Sequence, residues 1–227
     1  MRINKYLSMR KLATRRGADE LIGKKKVYIN GKPAVLGSKV NEDDKIEILH
    51  SRNPQKMVYL AYHKPIGVIT HSPKRGELDI KESAMLKNVF PIGRLDKNSH
   101  GLIILTNDGR ITDHMLNPKF EHEKEYIVTT SNKLRTSFKK NMEKGVDIEG
   151  YMTKKCTVDI IDEHTFNVIL TEGKKHQIRR MCSNLFQEVS ELKRIRIMNI
   201  ELGKLSPNSY RAIEGGELEI FLKALKM

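Results

Sequence analysis

Between Pro91 and Gly109 the chain reads PIGRLDKNSHGLIILTNDG, and side chains that could do chemistry are concentrated there. Arg94, Asp96, Lys97, Asn98, Ser99 and His100 crowd one short segment that runs straight into Leu102, Ile103, Ile104 and Leu105. Four successive apolar residues, bounded by Gly101 and by Asn107, Asp108 and Gly109, are too few for an independent helix and predict a strand buried on both faces. Polar groups drawn towards a core need partners or a task. Composition alone also fits a surface turn capped by Asp96. A hydrolase would bring a second carboxylate to position water, but Asp108 sits in Asn-Asp-Gly, the setting of a turn.

Two further stretches carry candidate chemistry. In LTEGKKHQIRRMCSNL, Gly173 ends a strand and Ile178, Met181, Cys182 and Leu185 form one stripe of a helix, leaving Gln177, Arg179 and Arg180 around its start. Lys174 and Lys175 lie on the path between the two. In HEKEYIVT, Tyr126 opens a strand, where β-propensity alone would explain an aromatic residue.

The string GRLDKNSHGLIILTNDG resembles the signature of the pseudouridine synthases, in the branch that modifies ribosomal RNA. The resemblance implies that Asp96 is catalytic, that Tyr126 stacks on the target uracil, and that Arg179 pairs with Asp96. It also implies that Arg94 fills the space left by a flipped base. The catalytic domain of the family commonly opens with a Lys-Pro-x-Gly turn, matched by Lys64 to Gly67, and Lys64 is either a phosphate contact or a surface lysine beside a turn. KKCTV, QIRRMC and LKRIRIMNIELG look most like the members acting on large-subunit RNA. Converting uridine to pseudouridine adds and removes no atoms, so no cofactor is expected.

The charge supports a polyanionic partner. The chain carries 42 Lys and Arg against 28 Asp and Glu, a formal +14, beyond the range of about 2 to 8 usual for a small soluble domain. Residues 1–57 hold 14 cationic against 6 acidic side chains, so the first quarter carries more than half the excess. With no long apolar segment and no lipidation signal, RNA in the cytoplasm is expected rather than a membrane, bound by a monomer. A non-catalytic RNA-binding factor would explain this charge equally well. Cys156 and Cys182 are too few and too far apart for a disulfide framework and are expected as buried thiols. The His122–Glu125 run lacks the second His of a zinc motif, so no metal site is expected.

Ile3 and Leu7 at helical spacing predict a basic amphipathic helix, and a second helix follows Thr14, a suitable cap. Val27–Ile29, a turn at Asn30-Gly31 and a strand through Ile46 and Ile48 complete a small α+β unit. Over residues 1–49 this resembles the RNA-binding module shared by ribosomal protein S-four and tyrosyl-tRNA synthetases. Its expected RNA contacts are Arg2, Lys5, Arg15, Arg16, Lys24, Lys25, Lys26 and Lys32, with Lys174, Lys175 and Arg180 in the catalytic part. Residues 50–57 read as a linker, and 58–227 as an α+β domain with a mixed, largely antiparallel sheet flanked by helices. Within it, Leu134, Phe138 and Met142 predict one amphipathic helix, and Arg194 and Arg196 predict a basic strand face under an RNA backbone.

Overall fold

The computed structural model describes residues 1–10, 12–13, 15–49, 56–86 and 88–227. Thr14 and most of the expected linker lie outside them. The chain divides into two compact units, Met1–Met57 with Asp108–Arg110, and Val58–Asn107 with Ile111–Met227.

In the first unit, α1 (Ile3–Met9) and α2 (Arg15–Gly23) bury Ile3, Leu7, Ala18 and Ile22 against Val27, Ala34 and Val40. The strands β1 (Val27–Ile29), β2 (Lys32–Pro33) and β3 (Ile46–Ile48) form an antiparallel sheet in the order β2-β1-β3. Asn30 and Gly31 both take positive φ, 50° and 78°, which lets a two-residue turn match the twist of β1 and β2.

The second unit begins with β4 (Tyr59–Lys64), α3 (Ile80–Ala84), β5 (Phe90–Ile92), β6 (His100–Thr106), α4 (Ile111–Leu116), β7 (Lys124–Thr130) and α5 (Phe138–Glu143). It continues through β8 (Thr157–Ile160), β9 (Thr165–Leu170), α6 (Gln177–Asn184), β10 (Val189–Ile197), β11 (Ile200–Glu201), β12 (Tyr210–Ala212) and α7 (Gly215–Ala224). The sheet runs β12-β4-β6-β10-β7-β9-β8, with β5 beside β6 and β11 beside β10. Among the described residues every pairing in it is antiparallel except β6 with β10. The mixed, largely antiparallel α+β domain expected from sequence is the fold observed.

Helices cover both faces because strands in the middle of the sheet are apolar on both sides. On one face α4 and α7 bring Ile111, Met115, Phe221 and Leu225 onto Ala61, Leu102 and Ile104. The other face carries two separate clusters. Ile80 of α3 packs with Leu60, Tyr62, Ile103 and Leu105, whereas Phe138 and Met142 of α5 and Ile178, Met181 and Cys182 of α6 pack with Val128, Phe166, Val168 and Leu192. Leu134 is not part of α5 as expected. Its amide donates to the Glu163 carbonyl at 2.7 Å, holding the segment as a loop that packs on the same cluster, and the helix starts only after Ser137.

β6 and β10 approach each other closely at Gly101. A Cβ on Gly101 would stand 2.2 Å from the carbonyl oxygen of Arg194 and 2.6 Å from its nitrogen, and Gly101 has φ +110°, so only glycine fits. On the opposite face His100 ties the junction together: its Nδ1 meets Nε2 of His63 at 3.2 Å and its Nε2 meets Glu191 at 2.9 Å, while Nδ1 of His63 meets the Leu205 carbonyl at 2.7 Å. Burial pushes the His63 pKa down. A neutral His63 that donates to Leu205 can only accept from His100. Gly101→Ala should therefore lower the unfolding free energy by about 3 kcal/mol or more, through backbone strain and overlap together, as measured by urea denaturation of the full chain.

Candidate active site

The sheet register lays out the site. Lys64 pairs with Gly101, Gly101 with Arg194, Arg194 with Tyr126 and Tyr126 with Val168, so one row crosses four strands before it becomes apolar. Residues in one row share a face. Gly101 adds no side chain to the row, and the Arg194 backbone closes in on the place a Cβ would take, so the polar side chains of the row are those of Lys64, Arg194 and Tyr126. The row also lies between the two apolar clusters of that face, so polar groups sit between the parts of the sheet that the helices cover.

Asp96 stands at this row on the loop that enters β6. The loop is fixed by its own bonds. Thr70 Oγ1 donates to the Leu95 carbonyl at 2.8 Å and accepts from the Leu95 amide at 3.1 Å. The Gly67 amide, in the Lys-Pro-Ile-Gly turn, donates to the Lys97 carbonyl at 2.8 Å, and Ser99 N bonds back to Asp96 O at 3.0 Å. Lys97 is held by Glu77 at 2.9 Å.

Arg179 does not pair with Asp96. Its Nη2 donates to the Asn98 carbonyl at 3.0 Å and to Ser99 Oγ at 3.3 Å, and its Nη1 donates to the Val189 carbonyl at 3.0 Å. It therefore joins the Asp96 loop to the start of β10 and acts on the carboxylate only by placing the backbone. The partner of Asp96 is His176, whose Nδ1 lies 3.0 Å from Asp96 Oδ2. His176 caps α6 in the left-handed region, φ 52° and ψ 29°. Gln177 locks that turn: its Oε1 accepts from the Lys174 amide at 2.8 Å and its Nε2 donates to Glu172 at 2.9 Å. Both members of the Asp96–His176 pair stay accessible, with side chains 35% and 46% exposed.

Of the two alternatives for Lys64, a phosphate contact or a surface lysine beside a turn, the second is excluded. The side chain is fully buried, with its Nζ donating to the Pro65 carbonyl at 2.8 Å. Desolvation lowers its pKa to about 8, an effect opposed by the charge of Asp96 and reinforced by that of Arg194. The basic strand face expected of Arg194 and Arg196 is also absent, because a register shift separates the two. Arg194 is buried beneath Tyr126, with its guanidinium carbon 6.0 Å from the ring centroid, whereas Arg196 is bound by Glu125 and Glu123. Lys124, half-buried, completes a cationic floor, and desolvation followed by the charge of Arg194 lowers its pKa to about 8.

Arg94 is exposed beside the loop. Lys174 lies 4.2 Å from the Tyr151 ring centroid, Lys175 is exposed, and Arg180 is held by Glu149 at 2.7 Å and by the Ile148 carbonyl. In the first unit Arg2, Lys5, Arg15, Arg16, Lys24, Lys25 and Lys32 are exposed and Lys26 is partly so; none of them pairs with a carboxylate among the described residues. Cys182 is buried as expected, but Cys156 is only partly so.

A single carboxylate on a braced loop at the edge of a row of buried cations belongs to a chain with relatives among known proteins. Residues 58–184 match the family model described as RNA pseudouridylate synthase, and residues 1–46 match the S4 domain. The chain belongs to the RNA pseudouridylate synthases. It is 37% identical over 232 residues to the dual-specificity RNA pseudouridine synthase RluF of Escherichia coli strain K12, covering all of this chain and 80% of that one. It is 36% identical over 237 residues to an uncharacterized RNA pseudouridine synthase of Aquifex aeolicus, covering 99% and 95%. A crystal structure of a pseudouridylate synthase superposes with a TM-score of 0.72 at 26% identity, covering 96% and 98%.

Of the residues around Asp96, His176 was not singled out from sequence, whereas Lys64 and Arg194 were, but for exposed roles. His176 gave no signal beyond its place before Gln177. Lys64 did give one: Val58, Leu60 and Tyr62 alternate towards it, so parity alone points it inward. Arg194 was hidden by the register shift. A pH titration tests the buried Lys64. The folded chain releases its proton near pH 8 but the unfolded chain only near 10.5, so the unfolded state binds more protons between these values and folding gains stability as the pH rises. Urea unfolding should show the wild type gaining on Lys64→Met from pH 8 to pH 10. Lys124 is common to both proteins and cancels.

Proposed function

We propose that this synthase flips a uridine out of ribosomal RNA and isomerises it to pseudouridine, with Asp96 as the catalytic carboxylate. The observation that carries the reading is the placement of Asp96 on a braced loop over the Lys64–Gly101–Arg194–Tyr126 row. The glycosidic bond of a stacked uridine is out of reach of a carboxylate so placed, so the nucleotide must leave the helix. Tyr126 then holds the face of the base, a contact worth about 1 to 3 kcal/mol, and exposed Arg94 fills the vacated stack.

The reaction breaks N1–C1′ and forms C5–C1′, and between these steps the detached base has to be kept from solvent. Asp96 acts on the ribose or the base while His176 orients its carboxylate and Arg179 holds its loop. The unpaired cations of the first unit bind phosphates, which makes binding steeply salt-dependent and supplies affinity without selecting a base. Large-subunit RNA is the proposed substrate, supported by the wording of the 154–158, 177–182 and 192–203 segments. The chain acts as a cytoplasmic monomer.

The reading is tested by mapping pseudouridines in ribosomal RNA with carbodiimide treatment and primer extension. Cells lacking this chain should lose a specific stop in large-subunit RNA, wild-type chain should restore it, and Asp96→Asn should not. Asn keeps the shape of Asp without its carboxylate. Restoration by Asp96→Asn would remove Asp96 from the chemistry, and an unchanged map in the deleted cells would favour a non-catalytic RNA-binding role.

A further inference from the structure

Arg194 is 3% exposed, and the structure leaves most of its guanidinium unused. Its Nε donates to the Leu102 carbonyl at 2.7 Å, which fixes the plane of the group against β6. Nη2 is shut off from solvent and has no acceptor. Almost every buried donor in a folded protein has a partner, so a lone one calls for a specific explanation. The cost is increased here because no carboxylate pairs with Arg194 among the described residues, and its nearest charged neighbours include Lys64 and Lys124, whose ionisation it opposes.

The position of the group indicates what would satisfy it. Arg194 is the cross-strand neighbour of Tyr126 on one side and of Gly101 on the other, with its guanidinium near the Tyr126 ring. A base held on Tyr126 brings its carbonyl oxygens to this depth, whereas the phosphates of its nucleotide stay on the outer strand of the RNA. Resting on the isomerisation argued above, we propose that Arg194 is a catalytic residue that donates through its free terminal nitrogens to a carbonyl oxygen of the flipped uracil and stabilises the detached base as an anion.

The electron count requires such a group. Breaking N1–C1′ leaves the bonding pair on the base, where it is spread over N1, O2 and O4. Forming C5–C1′ returns a pair to C1′, the C5 proton then passes to solvent, and N1 takes one up, so no oxidant or reductant enters. Negative charge on the carbonyl oxygens is therefore greatest between the two steps, and a donor fixed in a site of low dielectric acts most strongly at that moment. Lys64, buried in the same row, adds its field to that of Arg194 while Asp96 acts from the loop above.

The test uses the full chain and a transcript bearing the uridine located by mapping, with that uridine unmodified or replaced by 2-thiouridine or 4-thiouridine. Sulfur accepts hydrogen bonds poorly. Single-turnover pseudouridine formation by wild type should fall about 10-fold or more for one of the thio transcripts. Arg194→Met should lower the rate on the unmodified transcript by about 100-fold, the scale of losing one oxyanion donor, with RNA affinity unchanged. The thio penalty should then disappear in the variant, because the donor that sensed the oxygen is gone. A merely structural Arg194 would lower stability and leave that penalty in place.

A folded Arg194→Met enzyme within about 3-fold of wild type overturns the proposal, as does an equal thio penalty in both proteins. If Arg194→Met fails to fold, Arg194→Lys takes its place, with the same loss of the thio penalty expected. Should neither variant fold, the wild type decides alone: insensitivity to both thio substitutions overturns the proposal. A wild-type chain that isomerises no uridine in any transcript overturns the proposed function as well.

Discussion

The backbone of β6 at Gly101 lies so close to that of β10 at Arg194 that no side chain fits between them, and the site depends on this approach. The two strands are parallel, so the segments entering them arrive at the same edge of the sheet. One is the Asp96 loop before β6. The other comes from α6, which carries His176 at its cap and Arg179 on its first turn. An antiparallel pairing would put these entrances at opposite ends. Arg179 exploits the shared edge by binding the Asn98 and Val189 carbonyls at once, which makes the loop and the start of β10 a single piece.

The same approach sets the electrostatics. Lys64 and Arg194 are the cross-strand neighbours of Gly101 and are both buried. Burying cations without carboxylate partners opposes folding. The fold nevertheless encloses them beside a carboxylate and an aromatic ring, where charge can develop on a bound base. Sites of this kind give up stability for function, and apolar packing on both sides of the row offsets the cost. The first unit uses its cations differently, holding them in solvent where phosphates can reach them.

Much of the architecture was legible in the sequence because it rests on local pattern. The Leu102–Leu105 run is a buried strand, Ile3 and Leu7 share one helix face, and Ile178, Met181 and Cys182 lie on another. Asp96 and Tyr126 were singled out through resemblance alone, since nothing local distinguishes a catalytic Asp from a turn Asp. The misplaced residues depend on contacts distant in sequence. A register shift between β10 and β7 decides that Arg194 turns inward while Arg196 meets Glu125. Arg179 prefers two fixed carbonyls to a carboxylate that His176 already engages. Leu134 was misread because a periodicity of four continued by chance into a loop held by the Glu163 carbonyl.

If Asp96 acts as proposed, this chain detaches a uracil and rejoins it to the same ribose without letting it go. The most direct measurement incubates the purified full chain, with nothing else added, with ribosomal RNA tritiated at C5 of uridine, and follows both released tritium and free uracil. Tritium should be released in step with pseudouridine formed, one per modified site, with no free uracil. Tritium retained in the RNA, or uracil appearing in solution, would contradict it.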